Sequence, residues 1–431
     1  YSYPMIHNAF IINQSIIISY MKIVRVFWLA ILLMLMATPL TRSTVLVVTA
    51  QEKAAQLTRG LEFDYVSWLL EAAGIKTGET GIAVTQRLTA PQQHQLVLRY
   101  FDLARDLEWA AFQVQQIYTD PQVSDPQSEA ADLLAQQQQI QNALQRLDPL
   151  VESILQQQVA STLVKMGITR LGEPFPPVLY HTSATPKSLI TSTRNKIAKD
   201  VDISLLSDLT LAEITDLEDR VEQSTGESAL VVGTGGIGVY PTMIMRTSDL
   251  AWVVNTIAHE WTHNYLTLRP LGLNYDTNYE LRTMNETVAS IVGNEIGAEV
   301  ISTYYPELAS GKDSTKLAAP AQEDAFNFQA EMHETRVTVD ALLAEGKITE
   351  AENYMEARRQ VFVTHGYLIR KLNQAYFAFY GAYADTPVGA AGEDPVGQAV
   401  RQLRAQSSSL AAFLRQMGAM NSFADLQKAT E

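Results

Sequence analysis

The chain has 431 residues, with 32 Lys plus Arg against 47 Asp plus Glu, a net charge of −15 and no cysteine. The acidic balance argues against nucleic-acid binding, which needs clustered Lys and Arg to neutralise phosphates. The lack of Cys rules out disulfides, Cys-ligated zinc, iron–sulfur clusters and thiol catalysis. An apolar fraction of 47% and a charged fraction of 18% are those of a folded chain. A chain this long can bury a real core without metal or covalent staples. Any metal site must come from His, Asp and Glu, and there are only seven His.

Residues 1–20 are Ile-rich and carry no charged side chain. They read as a translated upstream extension, with Met21 as the natural start. In 21–50, Lys22 and Arg25 form a positive n-region, 26–36 is an apolar h-region, and Val48-Thr49-Ala50 resembles a small-residue cleavage site. The same segment also reads as an uncleaved anchor, although 26–40 is short for a span of about 20 residues. Lys22 and Arg25 stay cytoplasmic by the positive-inside rule, so both readings place the rest outside, secreted or membrane-anchored. Any membrane association is expected through this N-terminus.

Residues 51–170 read as a helical region. Helices are expected over 61–73 and 95–118, the second with Leu96, Tyr100, Leu103, Leu107, Ala110, Val114 and Ile117 at alternating steps of four and three. Thr119-Asp120-Pro121 stops it, and Ser124-Asp125-Pro126 opens a long helix to about Lys165. Two long helices joined by a Pro-containing turn predict an antiparallel hairpin. The period changes at 171. Strands are expected over 178–182, 188–192, 229–232 and 239–245, the last an edge candidate because of Pro241, and a helix over 209–221. From 248 the signal is helical again, over 248–268, 284–304, 321–345, 348–383 and 394–417. The fold class is therefore α+β and mostly helical. A small mixed or antiparallel sheet in 171–310 packs on an active-site helix, flanked by the N-terminal hairpin and a C-terminal helical domain over 311–431.

The sharp feature is His259-Glu260-Trp261-Thr262-His263, an HExxH motif. Ser248 is a plausible N-cap, and Leu250, Val253, Val254, Ile257 and Trp261 give the helix carrying it an apolar face. Positions i and i+4 share one helical face, about 6 Å apart. Two imidazoles there converge on one Zn²⁺ at about 2.0–2.1 Å each. Glu260, beside the first ligand, is placed to take a proton from water at the metal rather than to bind it.

A third ligand is needed. The metzincin spacing would put it at Arg269, which excludes that class. A carboxylate from a second helix is the alternative, and Glu286 in Asn285-Glu286-Thr287-Val288-Ala289-Ser290 is the candidate; Glu280, Glu295 and Glu299 are weaker ones. Ala289, Gly293 and Gly297 form a small-residue stripe on the same face, which lets two backbones approach closely.

His259-Glu260-x-x-His263 followed by Asn285-Glu286 and a helix rich in small residues resembles the gluzincins, zinc peptidases with an HExxH helix and a downstream Glu ligand. The Asn-Glu-x-x-Ala form is similar to the aminopeptidase-type and membrane-associated bacterial branches. The resemblance covers about 229–300, and the rest only in outline. It implies Zn²⁺ on His259, His263 and Glu286, Glu260 as general base, and a peptide or protein substrate. It also implies that the strand before the active helix, here Gly235–Tyr240, is an edge that holds substrate by backbone pairing, with glycines permitting close approach. Many gluzincins carry an Asp four residues after the Glu ligand to orient a zinc-bound His; here Ser290 stands there, so that support must come from elsewhere. An oxyanion donor is usually a C-terminal Tyr or His in this family. Asn373, Tyr376, Tyr380 and Tyr383 lie on one helical stripe with His365 earlier, and Tyr380 or Tyr383 is expected in the role.

Other readings stay open. The motif helix could belong to an extracytoplasmic binding or scaffold protein with a degenerate zinc site, or to a zinc hydrolase of a non-peptide amide or ester. The tyrosine stripe also reads as aromatic core packing, Glu286 as a carboxylate complementing a helix dipole, and Gly233–Gly238 as a hairpin turn.

Overall fold

The computed structural model describes residues 49–80, 87–119, 125–309, 326–367, 369–380 and 395–431. The upstream extension, the signal or anchor segment up to residue 48, and Tyr383 lie outside the described residues. Among the described residues, no helix is long and apolar enough to cross a membrane.

Helices α1 (Ala50–Leu57), α2 (Tyr65–Thr80), α3 (Ala90–Thr119) and α4 (Ala131–Lys165) come first. The long pair α3 and α4 pack on one another. Tyr100 and Asp148, similarly far along the chain from the intervening turn, are joined by a 2.7 Å hydrogen bond, so the pair is an antiparallel hairpin. Its buried face is rotated by about one residue from the expected stripe. Val97, Tyr100, Phe101 and Ala104 enter the core, while Leu96, Leu103 and Leu107 lie at its margin. The second helix starts later than expected, because Pro126–Glu129 forms a separate turn before α4.

The middle of the chain holds β1 (Tyr180–Thr182), β2 (Lys187–Ser192), β3 (Lys199–Leu205), α5 (Leu211–Thr225), β4 (Ser228–Gly233), β5 (Gly236–Ile237) and β6 (Thr242–Ile244). These make two three-stranded sheets rather than one. The order β3-β2-β4 is antiparallel throughout; in β1-β6-β5, β1 runs parallel and β5 antiparallel to β6. Strand β3 was not expected, although Val201, Ile203 and Leu205 alternate with polar residues and pack against Leu189, Leu217 and Val231. The edge assignment for 239–245 is corrected. Pro241, which lacks an N–H for the ladder, precedes the strand, and β6 is the central strand of its sheet.

Helix α6 (Leu250–Leu266) carries the HExxH motif and α7 (Tyr279–Tyr304) carries Glu286. Asp249, not Ser248, caps α6, accepting from the Trp252 N–H at 2.9 Å; the Ser248 hydroxyl instead bonds Glu108 at 2.6 Å. Helix α7 begins earlier than expected, capped by Asn278, which puts Glu280 in its first turn rather than in the connecting segment. Then follow α8 (Phe328–Ala344), α9 (Ile348–Thr364), α10 (Gln374–Tyr380), α11 (Pro395–Gln406), α12 (Leu410–Gly418) and α13 (Phe423–Thr430). The single helix expected over 348–383 is broken. Gly366 adopts a left-handed φ of 87°, and the Tyr367 N–H folds back to the Phe362 carbonyl at 3.1 Å, ending α9. Likewise Ser409 caps a new helix, α12, inside the expected 394–417.

The core is built around α6. Its Val253, Val254, Ile257, Ala258 and Trp261 meet the α3–α4 hairpin, α7 and the C-terminal α11–α13 in one apolar cluster. Each large side chain buried this way contributes about 1.5–3 kcal/mol. The indole N–H of buried Trp261 donates to the Pro176 carbonyl at 2.8 Å, tying α6 to the segment before β1. A Cβ on Gly297 would stand 3.1 Å from Asn255 Cα, and one on Gly293 3.0 Å from the Asn255 carbonyl oxygen. The small stripe is thus where α7 crosses α6.

A second polar knot pins α2 to α4 and β1. Buried Glu152 pairs with Lys76 and accepts from His181 Nδ1 at 3.3 Å and from the Thr182 N–H at 2.7 Å. Burial opposes its charge, but His181 and Lys76 outweigh it and hold the carboxyl below its usual range.

Two outcomes follow from this packing. Gly297→Val should lower unfolding stability in urea by about 1–3 kcal/mol through overpacking at the crossing. Glu152→Gln should cost about 3–5 kcal/mol at pH 7, since it strands a buried ammonium. The Glu152 contribution is complete above the unfolded carboxyl pKa and disappears as pH falls through the lower folded value. Urea titrations from pH 7 to 3 should therefore show the gap between wild type and Glu152→Gln narrowing below about pH 4.5; a gap independent of pH would refute the assignment.

Candidate metal centre

Helix α6 presents His259 and His263 one turn apart, and α7 brings Glu286 opposite them. His259 Nε2 and His263 Nε2 stand 3.1 Å apart, and Glu286 Oε2 lies 3.6 and 3.5 Å from them. A tetrahedral ion about 2.0–2.1 Å from three such donors needs them about 3.3–3.4 Å apart. The three observed edges bracket that value. Glu286 Oε2 is buried with no hydrogen-bond partner, an arrangement that normally costs about 1–3 kcal/mol or more. The donor set, two imidazoles and a carboxylate, is one that zinc accepts. These residues fit the ion.

The electrostatics point the same way. Burial disfavours charge on His263, yet Glu286 overrides it and lifts the imidazole to about 9. Burial likewise opposes the charge on Glu286, and the two imidazoles hold it well below the carboxylate range. The buried carboxylate thus makes this corner one that favours positive charge.

Neighbouring groups orient the donors. His263 Nδ1–H donates to Asn285 Oδ1 at 2.8 Å, which turns Nε2 toward the cluster. The group that orients His263 is thus Asn285, the residue just before Glu286, rather than one four residues after it. The Tyr275 hydroxyl donates to Glu286 Oε1, leaving Oε2 as the inward oxygen. The Tyr275 ring meets His263 edge-on at 6.1 Å. Glu295 and Glu299, the weaker ligand candidates, are occupied elsewhere, by Arg404 and Lys165; Glu280 is exposed.

Glu260 points to the same side as the imidazoles, but is not one of the three converging donors. Burial raises its carboxyl above the usual value against the pull of His259 and His263, which makes it a better proton acceptor. The edge strand β5 runs directly over it. A Cβ on Gly236 would sit 2.8 Å from Glu260 Oε1, and one on Gly238 3.1 Å from His263 Cβ. The close approach these glycines permit is thus to α6 itself; the hairpin turn expected at Gly233–Gly238 falls instead at 238–241, between β5 and β6.

All of these side chains line one cleft of about 940 Å³, at the upper end of small-molecule pocket sizes. Strand β5 with the following Gly238 and Val239 forms one wall; Tyr275, Asp276, Arg282, Asn285 and Glu286 form another. Lys199, Asp200 and Asp202 of β3 lie further along, with Ala378 and Phe379 of α10. Tyr380 is not part of this lining. It is 37% exposed and its ring packs on Tyr376 at 4.5 Å. His365 bonds the Val361 carbonyl and stacks on Phe326. The structure thus brings together His259, Glu260, His263 and Glu286, and leaves Tyr380 outside the cleft lining.

From sequence, Asn285 stands beside Glu286 with no role given to it, and Tyr275 and Arg282, which also line the cleft, are not singled out. Starting α7 at 284 left Arg282, one turn before Glu286, outside the expected helix. Tyr275 lies between helices, where no periodicity marks it.

Asn285→Ala should weaken zinc affinity about 10- to 100-fold, and Tyr275→Phe should weaken it as well, both measured by chelator competition; unchanged affinity in both variants would remove these residues from the site. Protein-family models, curated proteins and solved structures give no match to the chain, so the reading of the site rests on its own geometry.

Proposed function

We propose that the protein is a zinc-dependent peptidase of the gluzincin type, with His259, His263 and Glu286 as metal ligands and Glu260 as general base. The observation that carries the reading is the convergence of two half-buried imidazoles and a buried carboxylate at 3.1–3.6 Å, with a second carboxylate, Glu260, facing the same cleft. When bound, zinc would polarise the scissile carbonyl and bring the pKa of water to about 7.

The chain's own residues supply the rest. The backbone of β5, which among the described residues is an edge strand paired with β6, offers hydrogen-bonding groups to an extended peptide along the cleft. That backbone runs against Glu260, so the bond to be cut would lie beside the base. Glu260 accepts a proton from the attacking water and delivers it to the departing amine. Asn285 and Tyr275 keep His263 and Glu286 in register. Oxyanion stabilisation by a C-terminal tyrosine remains part of the proposal at Tyr383; Tyr380 would have to move to reach the cleft. The basic n-region and apolar segment of 21–50 support an exported location.

The test joins elemental analysis of purified protein to cleavage of a peptide library. About one zinc per chain is expected. Glu260→Gln should keep the metal and lose activity by at least about 100-fold, whereas His263→Ala should lose both. Full activity in Glu260→Gln would refute the mechanism, and iron in place of zinc would refute the metal assignment.

A further inference from the structure

Arg282 breaks two local rules. It is a cation close behind the N-terminus of α7, where the helix dipole favours anions. Its Nε is buried with no hydrogen-bond partner, although its side chain is 15% exposed and lines the cleft. One acidic partner offsets this: Nη2 donates to Asp276 Oδ1 at 2.8 Å, and Asp276 is itself 78% exposed. An ion pair with so exposed a carboxylate is weak and readily exchanged. The guanidinium also lies over the Tyr275 ring at 5.6 Å, and Tyr275 touches Glu286. Arg282 is therefore two side-chain contacts from the metal ligands and one helical turn before Glu286. The other cation in the lining, Lys199, is paired with Asp202.

Rule-breaking of this kind is expected where a residue serves a ligand rather than the fold. A planar guanidinium with spare donors matches a carboxylate. We propose that Arg282 forms a carboxylate-binding subsite beside the metal centre, which selects substrates carrying a carboxylate close to the bond cleaved. This deepens the peptidase reading and rests on it. The carboxylate has two chemical sources, the C-terminus of a short peptide or an Asp or Glu side chain. A ligand carboxylate would displace the exposed Asp276 carboxylate from the guanidinium.

The experiment uses the full chain, zinc-loaded, with Glu260→Gln to prevent turnover. Binding of three probes is measured by calorimetry: acetyl-trialanine free acid, its C-terminal amide, and acetyl-Ala-Ala-Glu amide. The free acid, the glutamate amide, or both should bind about 10- to 100-fold more tightly than the trialanine amide, as a charge-assisted pair predicts. Which of the two gains identifies the source. Adding Arg282→Gln should abolish the gain, and Arg282→Lys, which keeps charge without the planar fork, should retain part of it. Equal binding of all three probes, or a gain that survives Arg282→Gln, would overturn the subsite. Should Arg282→Gln fail to fold, Arg282→Lys and the probe comparison decide alone. Cleavage by the wild type is scored separately. No cleavage of any peptide defeats the peptidase reading, while carboxylate discrimination in the binding series would still stand.

Discussion

The close crossing of α6 and α7 is the constraint on which the site depends. Gly293 and Gly297 lie against the backbone of Asn255, with Cβ positions 3.0–3.1 Å from its atoms. No larger side chain fits there without spreading the helices. That crossing lies one turn from His259, and Gly293 also approaches His259 Cβ. Along α7, two turns from Gly293, it puts Glu286 opposite both imidazoles. A spread of an ångström at the glycines would carry over to the donor triangle, where an ångström decides whether one ion touches all three donors. The stripe of small residues thus sets the spacing of the three donors, although it supplies none of them.

Charge arranges the rest. Four ionisable side chains, His259, Glu260, His263 and Glu286, are brought into one low-dielectric corner, which is costly unless the charges balance. Asn285 and Tyr275 each satisfy one donor atom and leave the other facing inward. What remains is two imidazole nitrogens and a carboxylate oxygen turned toward one another, a donor set of the kind that zinc accepts. The same reasoning separates Glu286 from Glu260. The first is locked by Tyr275 and faces the imidazoles. The second lies under the glycine strand, where burial raises its proton affinity.

How much of this was legible follows from the range of each signal. The HExxH spacing is local, so the two imidazoles and Glu260 could be placed from helical period alone. Glu286 needed one further step, a second helix with a small-residue face, and that step also held in the crossing geometry. The partners could not be placed this way. Asn285 was visible as a neighbour of Glu286, but its hydrogen bond to His263 depends on how α7 is rotated against α6. Tyr275 sits in a link without period. Strand β3 has a clear alternation at Val201, Ile203 and Leu205 that its charged neighbours disguised. The break at Gly366 was a missed turn signal, since a glycine in a left-handed conformation ends a helix that apolar spacing alone would continue.

The final step concerns why α6 turns its histidines toward the cleft at all. A helix in isolation has no reason to choose which face meets solvent. Here Leu250, Val253, Val254, Ile257, Ala258, Trp261 and Tyr265 are drawn into the core shared with the α3–α4 hairpin and α11–α13. That face is about half the circumference, and its burial, at about 1.5–3 kcal/mol for each large side chain, fixes the rotation of α6 about its axis. The opposite face, with Thr256, His259, Glu260 and His263, must then point at β5 and α7. The Trp261 indole bond to Pro176 adds a directional lock to apolar burial that is otherwise tolerant of small rotations. Segments distant in sequence, including the N-terminal hairpin and the last three helices, therefore act on the site without touching it: by burying one side of α6 they aim the other.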